Sequence, residues 1–197
     1  MEFIDERTIK SDKELNSLDE LVLKFLRIIE KYASYVIISG YVSILLGRSR
    51  ATEDVDLFIS EISFEDFEKF YNEIKGNGFW CLNAEDAKEV YSYLSENLAI
   101  RFAENGITIP NFEVKIARKP TAIKAIIEPL TVKTLEGDIK ISPLEQQIAY
   151  KLYFLKSDKD IEDARHLEKV FKDKINHALI ERYKALFENE LPKTREE

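Results

Sequence analysis

Apolar residues recur along the chain with two different periods, and each change of period marks the passage from one kind of element to another. Leu18, Leu21, Val22, Phe25, Leu26 and Ile29 fall at helical spacing behind Ser17, and Glu20 completes a capping-box signature, which predicts a helix from Ser17 to about Ala33. Tyr35 to Ser39 is a short β-branched run, and Gly40 to Leu46 has the length of a brief helix stopped by Gly47. The period then drops to two: Val55, Leu57 and Ile59 alternate with Asp54, Asp56 and Phe58, so both aspartates face away from the aliphatics. Ser63 can cap a helix carrying Phe64, Phe67, Phe70, Tyr71 and Ile74, ended by Gly76 and Gly78. Phe79 to Leu82 reads as a strand, Asn83 as the cap of a helix to about Asn97, and Leu98 to Phe102 and Asn111 to Ala117 as extended.

Leu130 to Ile141 has the pattern of a hairpin turning at Glu136, Gly137 and Asp138, and beyond it the strand signal stops. Ser142, Pro143 and Glu145 supply an N-cap, a proline for the first helical position and a reciprocal carboxylate. Helical periodicity continues to about Leu191, with breaks near Ser157 and Asp173. The order predicts an α/β fold: a mixed sheet with flanking helices over residues 1–141, then a C-terminal helical domain over 142–197.

Composition narrows the chemistry. With 45% hydrophobic and 11% aromatic residues in 197, the chain can bury a substantial core. Its 37 acids against 29 bases, a net charge of -8, exclude a broad basic surface for coating nucleic acid and leave room only for a local basic groove. One cysteine, Cys81, excludes an internal disulfide, and two histidines, His166 and His177, are too few for a zinc site of His and Cys ligands. A metal would have to sit on oxygen. Cys81, beside Trp80 in a strand, reads as core, and the histidines as surface or satisfied residues. No apolar stretch approaches the roughly 20 residues of a membrane span, and the acidic start lacks a signal-like run, so a cytoplasmic protein is expected. The chain has no Ser-His-Asp, Cys-His or Walker-type arrangement.

Asp54 and Asp56, at i and i+2 of a strand, point the same way and can share divalent cations. Mg2+ or Mn2+ takes oxygen ligands and leaves positions for water or phosphate, which suits phosphoryl or nucleotidyl transfer. Glu113 is the best third acid, because Phe112, Val114 and Ile116 alternate with Glu113 and Lys115. Lys115, two residues on, either binds phosphate or neutralises the acid. Upstream, Gly40 at a strand-to-helix turn permits close approach of phosphate to free N–H groups, and Arg48 and Arg50 can offset its charge. Lys115, Arg118, Lys119 and Lys124 form an acid-free basic stretch, either a solvated face or a strip beside the cleft for an RNA or acidic-protein acceptor. Lys151 falls on the apolar stripe of Leu144, Ile148, Leu152 and Leu155, either snorkelling to solvent or facing a cleft.

The unit Ser39-Gly40, a short helix and Asp54-Val55-Asp56, with Glu113 on a later strand, resembles the nucleotidyltransferase superfamily typified by DNA polymerase beta. Arg50-Ala51-Thr52-Glu53-Asp54, and Lys151 followed by Lys159-Asp160 and Asp163, are similar to its minimal, AbiEii-type branch. The turn departs from the family's Gly-Ser or Gly-Gly, and the third acid is Glu where Asp is commoner. The resemblance implies transfer of a nucleoside monophosphate from an NTP to an acceptor hydroxyl on an RNA end, a protein or a small molecule. Asp54, Asp56 and Glu113 would be the catalytic and metal-binding acids, and Ser39, Gly40, Arg48, Arg50 and Lys151 would hold the nucleotide, with Asp163 orienting Lys151. It also implies a toxin partnered by an antitoxin. The alternative is a non-catalytic protein of the same fold that binds a nucleotide or a partner chain.

Overall fold

The computed structural model describes residues 1–190, so Leu191, the expected end of the last helix, lies outside the described residues. The chain runs β1 (Glu2–Asp5), β2 (Thr8–Lys10), α1 (Ser17–Ile29), β3 (Tyr35–Ile37), α2 (Gly40–Leu45), β4 (Asp54–Ile59), α3 (Phe64–Gly76), β5 (Phe79–Cys81), α4 (Ala87–Ser95), β6 (Ile100–Glu104) and β7 (Asn111–Ile116). It continues with α5 (Pro120–Ile127), β8 (Leu130–Lys133), β9 (Asp138–Ile141), α6 (Leu144–Tyr150), a π-helical turn (Lys151–Leu155), α7 (Asp158–Val170) and α8 (His177–Glu190).

Among the described residues, nine strands form one mixed sheet in the order β1-β2-β8-β9-β3-β4-β7-β6-β5, and every element after Ile141 is helical. The α/β fold therefore follows the expectation. At the centre β4 runs parallel to β7 and antiparallel to β3. The aliphatic face of β4 and β7 is buried with α1 and α3, where Phe25 stacks on Phe112 at 4.0 Å between ring centroids and meets Phe79 edge-on at 5.6 Å. Covering that face leaves the other, with its acids, toward α5 and the helices that follow. Cys81 is buried, as expected.

Several boundaries differ from the pattern-based expectation. The cap of α1 is Asn16, one residue earlier than expected: its side chain accepts from the Asp19 amide, and Asp19 accepts from the Asn16 amide in return. The cap of α4 is Asp86 and not Asn83: Asp86 accepts from the Glu89 amide, while the Asn83 side chain is spent on the Arg101 amide and the Ala99 carbonyl. Pro143 is the N-cap of α6, not its first helical residue, and the Ser142 hydroxyl accepts from Gln147 instead of capping. The expected breaks are present, with Lys156 in a left-handed conformation and Ser157 capping α7. Two features carried no expectation: the β1–β2 hairpin, held by parallel pairing of β2 to β8, and α5, which begins with Pro120 inside the basic stretch.

Candidate active site

The register of the two central parallel strands assembles the acids. Asp54 and Asp56 share one face of β4, and Glu113 lies directly opposite Asp56 on β7. Cross-strand partners project to the same side of a sheet, so the three acids share a face. Burial, then the negative charges of Asp54 and Glu113, push the Asp56 carboxyl up to about 6, against the Ser39 hydroxyl and the Lys115 charge, which pull it down. Such a raised proton affinity marks a place where positive charge is wanted.

Glu113 is in the opposite condition. One carboxylate oxygen accepts from Lys115 Nζ at 2.6 Å and the other from Arg101 Nη2. Burial favours its protonation, but the hydrogen bond and charge of Lys115, joined by Arg101, outweigh it and hold the carboxyl below its usual range. Of the two roles open to Lys115, neutralising the acid is the one in place. Arg101 went unnoticed in the sequence because only the antiparallel register of β6 on β7 sets it against Glu113. For a divalent cation, Asp54 and Asp56 fit: they offer oxygen donors on one face, one of them with raised proton affinity. Glu113 does not fit as a third ligand while both its oxygens are taken, and among the described residues no three acidic, His or Cys groups are gathered for a metal.

Beside the acids, the turn from β3 into α2 places Ser39 at φ 65° and ψ −138°, with no side-chain cap bond to the helix. Gly40 begins α2 directly under the Arg50 guanidinium: a Cβ built at position 40 would sit 2.8 Å from Arg50 Nη2. Arg50 is held there by Asp163 at 2.8 Å. Arg48 also donates to Asp163, as well as to Glu162 and, at 2.8 Å, to the Lys159 carbonyl. Lys151 donates to Asp163 at 2.8 Å and to Asp160 at 3.2 Å. Three cations therefore converge on one buried carboxylate. Lys151 and Asp163 are both 0% exposed, so Lys151 neither snorkels to solvent nor faces the cleft; it is sealed beneath the α6–α7 junction. The apolar stripe left snorkelling and cleft-facing as its two readings, and burial replaces both; the contact with Asp163 is the one the resemblance implies. His166 reaches from α7 to the Leu46 carbonyl at 3.0 Å, a satisfied residue as expected.

A cavity of about 990 Å³ opens between the sheet and the helices, with Ser39, Asp56 and Glu113 on the sheet side and Gln146, Tyr150 and Phe154 on the helical side. Lys115, Arg118 and Lys119 also line it, so this part of the basic stretch faces the cleft. Arg48, Arg50, Lys151 and Asp163 lie outside its lining. Among the described residues, Gln146 Oε1 is a buried acceptor with no partner.

A mixed sheet with paired acids on a central strand, beside a strand-to-short-helix turn, defines a nucleotidyltransferase-like protein. The chain belongs to the family described as "Nucleotidyl transferase of unknown function (DUF2204)", whose profile matches residues 18–196. Among solved structures it is similar to the antibiotic-resistance factor ANT(2'')-Ia in solution, with a TM-score of 0.52 and 17% identity over 87% of this chain and 91% of that one. It is similar also to ANT(2'')-Ia crystallised with adenylyl-2''-tobramycin, with a TM-score of 0.52 and 14% identity over 89% and 99%. An antigenic nucleotidyltransferase-like protein from Paracoccidioides brasiliensis gives a TM-score of 0.51 and 14% identity over 88% and 85%. At these identities the likeness is one of fold. No curated protein matches the chain. No described helix is long and apolar enough to cross a membrane.

Proposed function

We propose that the protein transfers a nucleoside monophosphate from an NTP to an acceptor hydroxyl, with release of pyrophosphate. The observation that carries this reading is the β4–β7 register, which puts Asp54, Asp56 and Glu113 on one face beside the β3–α2 turn. Asp54 and Asp56 hold the divalent cation, Mg2+ or Mn2+. Bound there, it would supply positive charge against the triphosphate and make the acceptor hydroxyl more acidic. The backbone at Ser39 and Gly40 and the Arg50 guanidinium above it receive the outer phosphates. Asp163 and Lys151 act one step back, by fixing Arg50 and Arg48. Glu113 serves as third acid when the phosphates draw Lys115 and Arg101 away from it and the cation takes their place.

The cleft between residues 1–141 and the helical domain of 142–197 receives the acceptor. Lys115, Arg118 and Lys119 in its lining favour an acceptor that itself carries negative charge, such as an RNA end or an acidic protein, while the solved complex of ANT(2'')-Ia keeps a small molecule in view. A cytoplasmic toxin held by an antitoxin follows from the AbiEii-type resemblance of Arg50 to Asp54 and of Lys151 to Asp163. The second reading, a non-catalytic nucleotide- or partner-binding protein, is favoured by one observation: Glu113 is engaged by two cations.

Labelled NTPs incubated with the protein, Mg2+ and total RNA or cell extract test the proposal. Label should pass to one acceptor, and Asp54→Asn with Asp56→Asn should abolish both transfer and the metal dependence of NTP binding. NTP binding without transfer to any acceptor would favour the second reading.

A further inference from the structure

The helical wall of the cavity ends in an aromatic surface that none of the roles above uses. Tyr150 closes α6 and Phe154 lies four residues on, within the π-helical turn; their rings are inclined by only 17° with centroids 5.9 Å apart. Phe187 from α8, itself buried, braces both, at 4.9 Å from Tyr150 and 5.4 Å from Phe154. Tyr150 is nevertheless 43% exposed, so its ring is held in place without being covered. The π turn accounts for the split. Its backbone closes from the Lys156 amide to the Lys151 carbonyl at 3.0 Å, and Lys151 turns inward to Asp163 while the aromatic residues on either side of it line the cavity. Wide turns of this kind recur at ligand sites.

We propose that Tyr150 and Phe154 form the stacking platform for the nucleobase of the NTP, which deepens the nucleotidyl-transfer reading and rests on it. The argument is one of continuity and charge. The platform shares one cavity with Ser39 and Asp56, and the cavity volume of about 990 Å³ is at the upper end of what small-ligand sites use, enough for a nucleoside and its phosphates together. Ser39 and Asp56 mark the phosphate end of this cavity and the cations of the lining are left to the acceptor, whereas the braced rings offer an uncharged aromatic surface that suits a base. Stacking needs no particular pattern of donors and acceptors, so the platform tolerates several bases and ranks purines above pyrimidines by area.

The test compares ATP with inorganic tripolyphosphate, which has the anionic part and no base, by calorimetry in the presence of Mg2+. Tyr150→Ala and Phe154→Ala should each weaken ATP about tenfold or more and leave tripolyphosphate unchanged, while Tyr150→Phe should bind ATP like the parent. The adenine H2 and H8 proton resonances should move upfield on binding to the parent and not to Tyr150→Ala. Unchanged ATP affinity in both alanine variants overturns the platform and leaves nucleotidyl transfer standing. An equal loss of tripolyphosphate binding also overturns it, since the rings would then act only as packing. A parent that binds neither ligand removes the platform and the transfer reading together.

Discussion

At Ser39 the backbone occupies a region of positive φ where a side chain crowds neighbouring backbone atoms and glycine does not. Residues held in such conformations cost about 1–3 kcal/mol, and they persist where a site demands the shape. Ser39→Gly is therefore expected to stabilise the fold by about 1 kcal/mol after the greater freedom of glycine in the unfolded chain is deducted, read as a higher urea midpoint at unchanged slope. Asp56 gives a pH signature. Its carboxyl is pushed up to about 6 in the fold from an ordinary value of 3.8, so the folded protein binds this proton more tightly than the unfolded chain does. The stability that comes with the proton is fully present below the unfolded value and is lost as pH rises through the folded one. Asp56→Asn should accordingly be more stable than the parent at pH 7.5 by on the order of 1–3 kcal/mol, with the gap closing toward pH 4. Urea titrations of both proteins across that range check it; a gap independent of pH would detach the shift from Asp56.

At the scale of elements, α6, the π turn and α7 are joined by a buried ion cluster. Lys151 lies enclosed between Asp160 and Asp163, and truncating it takes one of the three cations from buried Asp163 and opens a void where the long stem is packed. Lys151→Ala should cost about 3–5 kcal/mol, seen as a large fall in melting temperature even without nucleotide. That outcome separates an internal tie from a surface phosphate ligand, whose loss would leave stability nearly unchanged. Elements and acids differ in how well the sequence announces them. The strands bearing Asp54, Asp56 and Glu113 were legible because one face of each is buried and the other charged, so the alternation is clean. Lys115 showed itself by its spacing from Glu113, whereas Arg101 did not, since its position depends on the pairing of β6 with β7, a long-range choice. The β1–β2 hairpin escaped notice for a related reason: strands of four and three residues have too little pattern of their own, and β8 holds them in place. The helix α5 did leave a trace, Pro120 followed by Ala122 and Ala125, but the basic residues around it drew attention to charge instead.

Across the whole molecule, the two ends of the described chain fasten elements before Ile141 to those after it. Phe3 in β1 packs edge-on against Phe171 just beyond α7, at 5.5 Å, and Glu190 at the end of α8 accepts from the amide and hydroxyl of Thr121 at the start of α5, both at 2.7 Å. Removing residues 1–10 would strip β2 from β8 and leave β8 as a bare edge, with the backbone donors and acceptors of that side unpaired. The shortened chain is expected to melt lower and to self-associate, which light scattering on a sizing column would detect. The contact of Arg50 over Gly40 has a different kind of consequence. The Cβ missing at position 40 is space already filled by a guanidinium that Asp163 keeps from moving aside. Over evolutionary time alanine or serine then enters at 40 only at the expense of that arrangement, because the guanidinium has to shift from its place on Asp163 to make room. Relatives that retain both the arginine and its aspartate partner should favour glycine ten residues before the arginine, and those that have lost either should carry larger residues there more often.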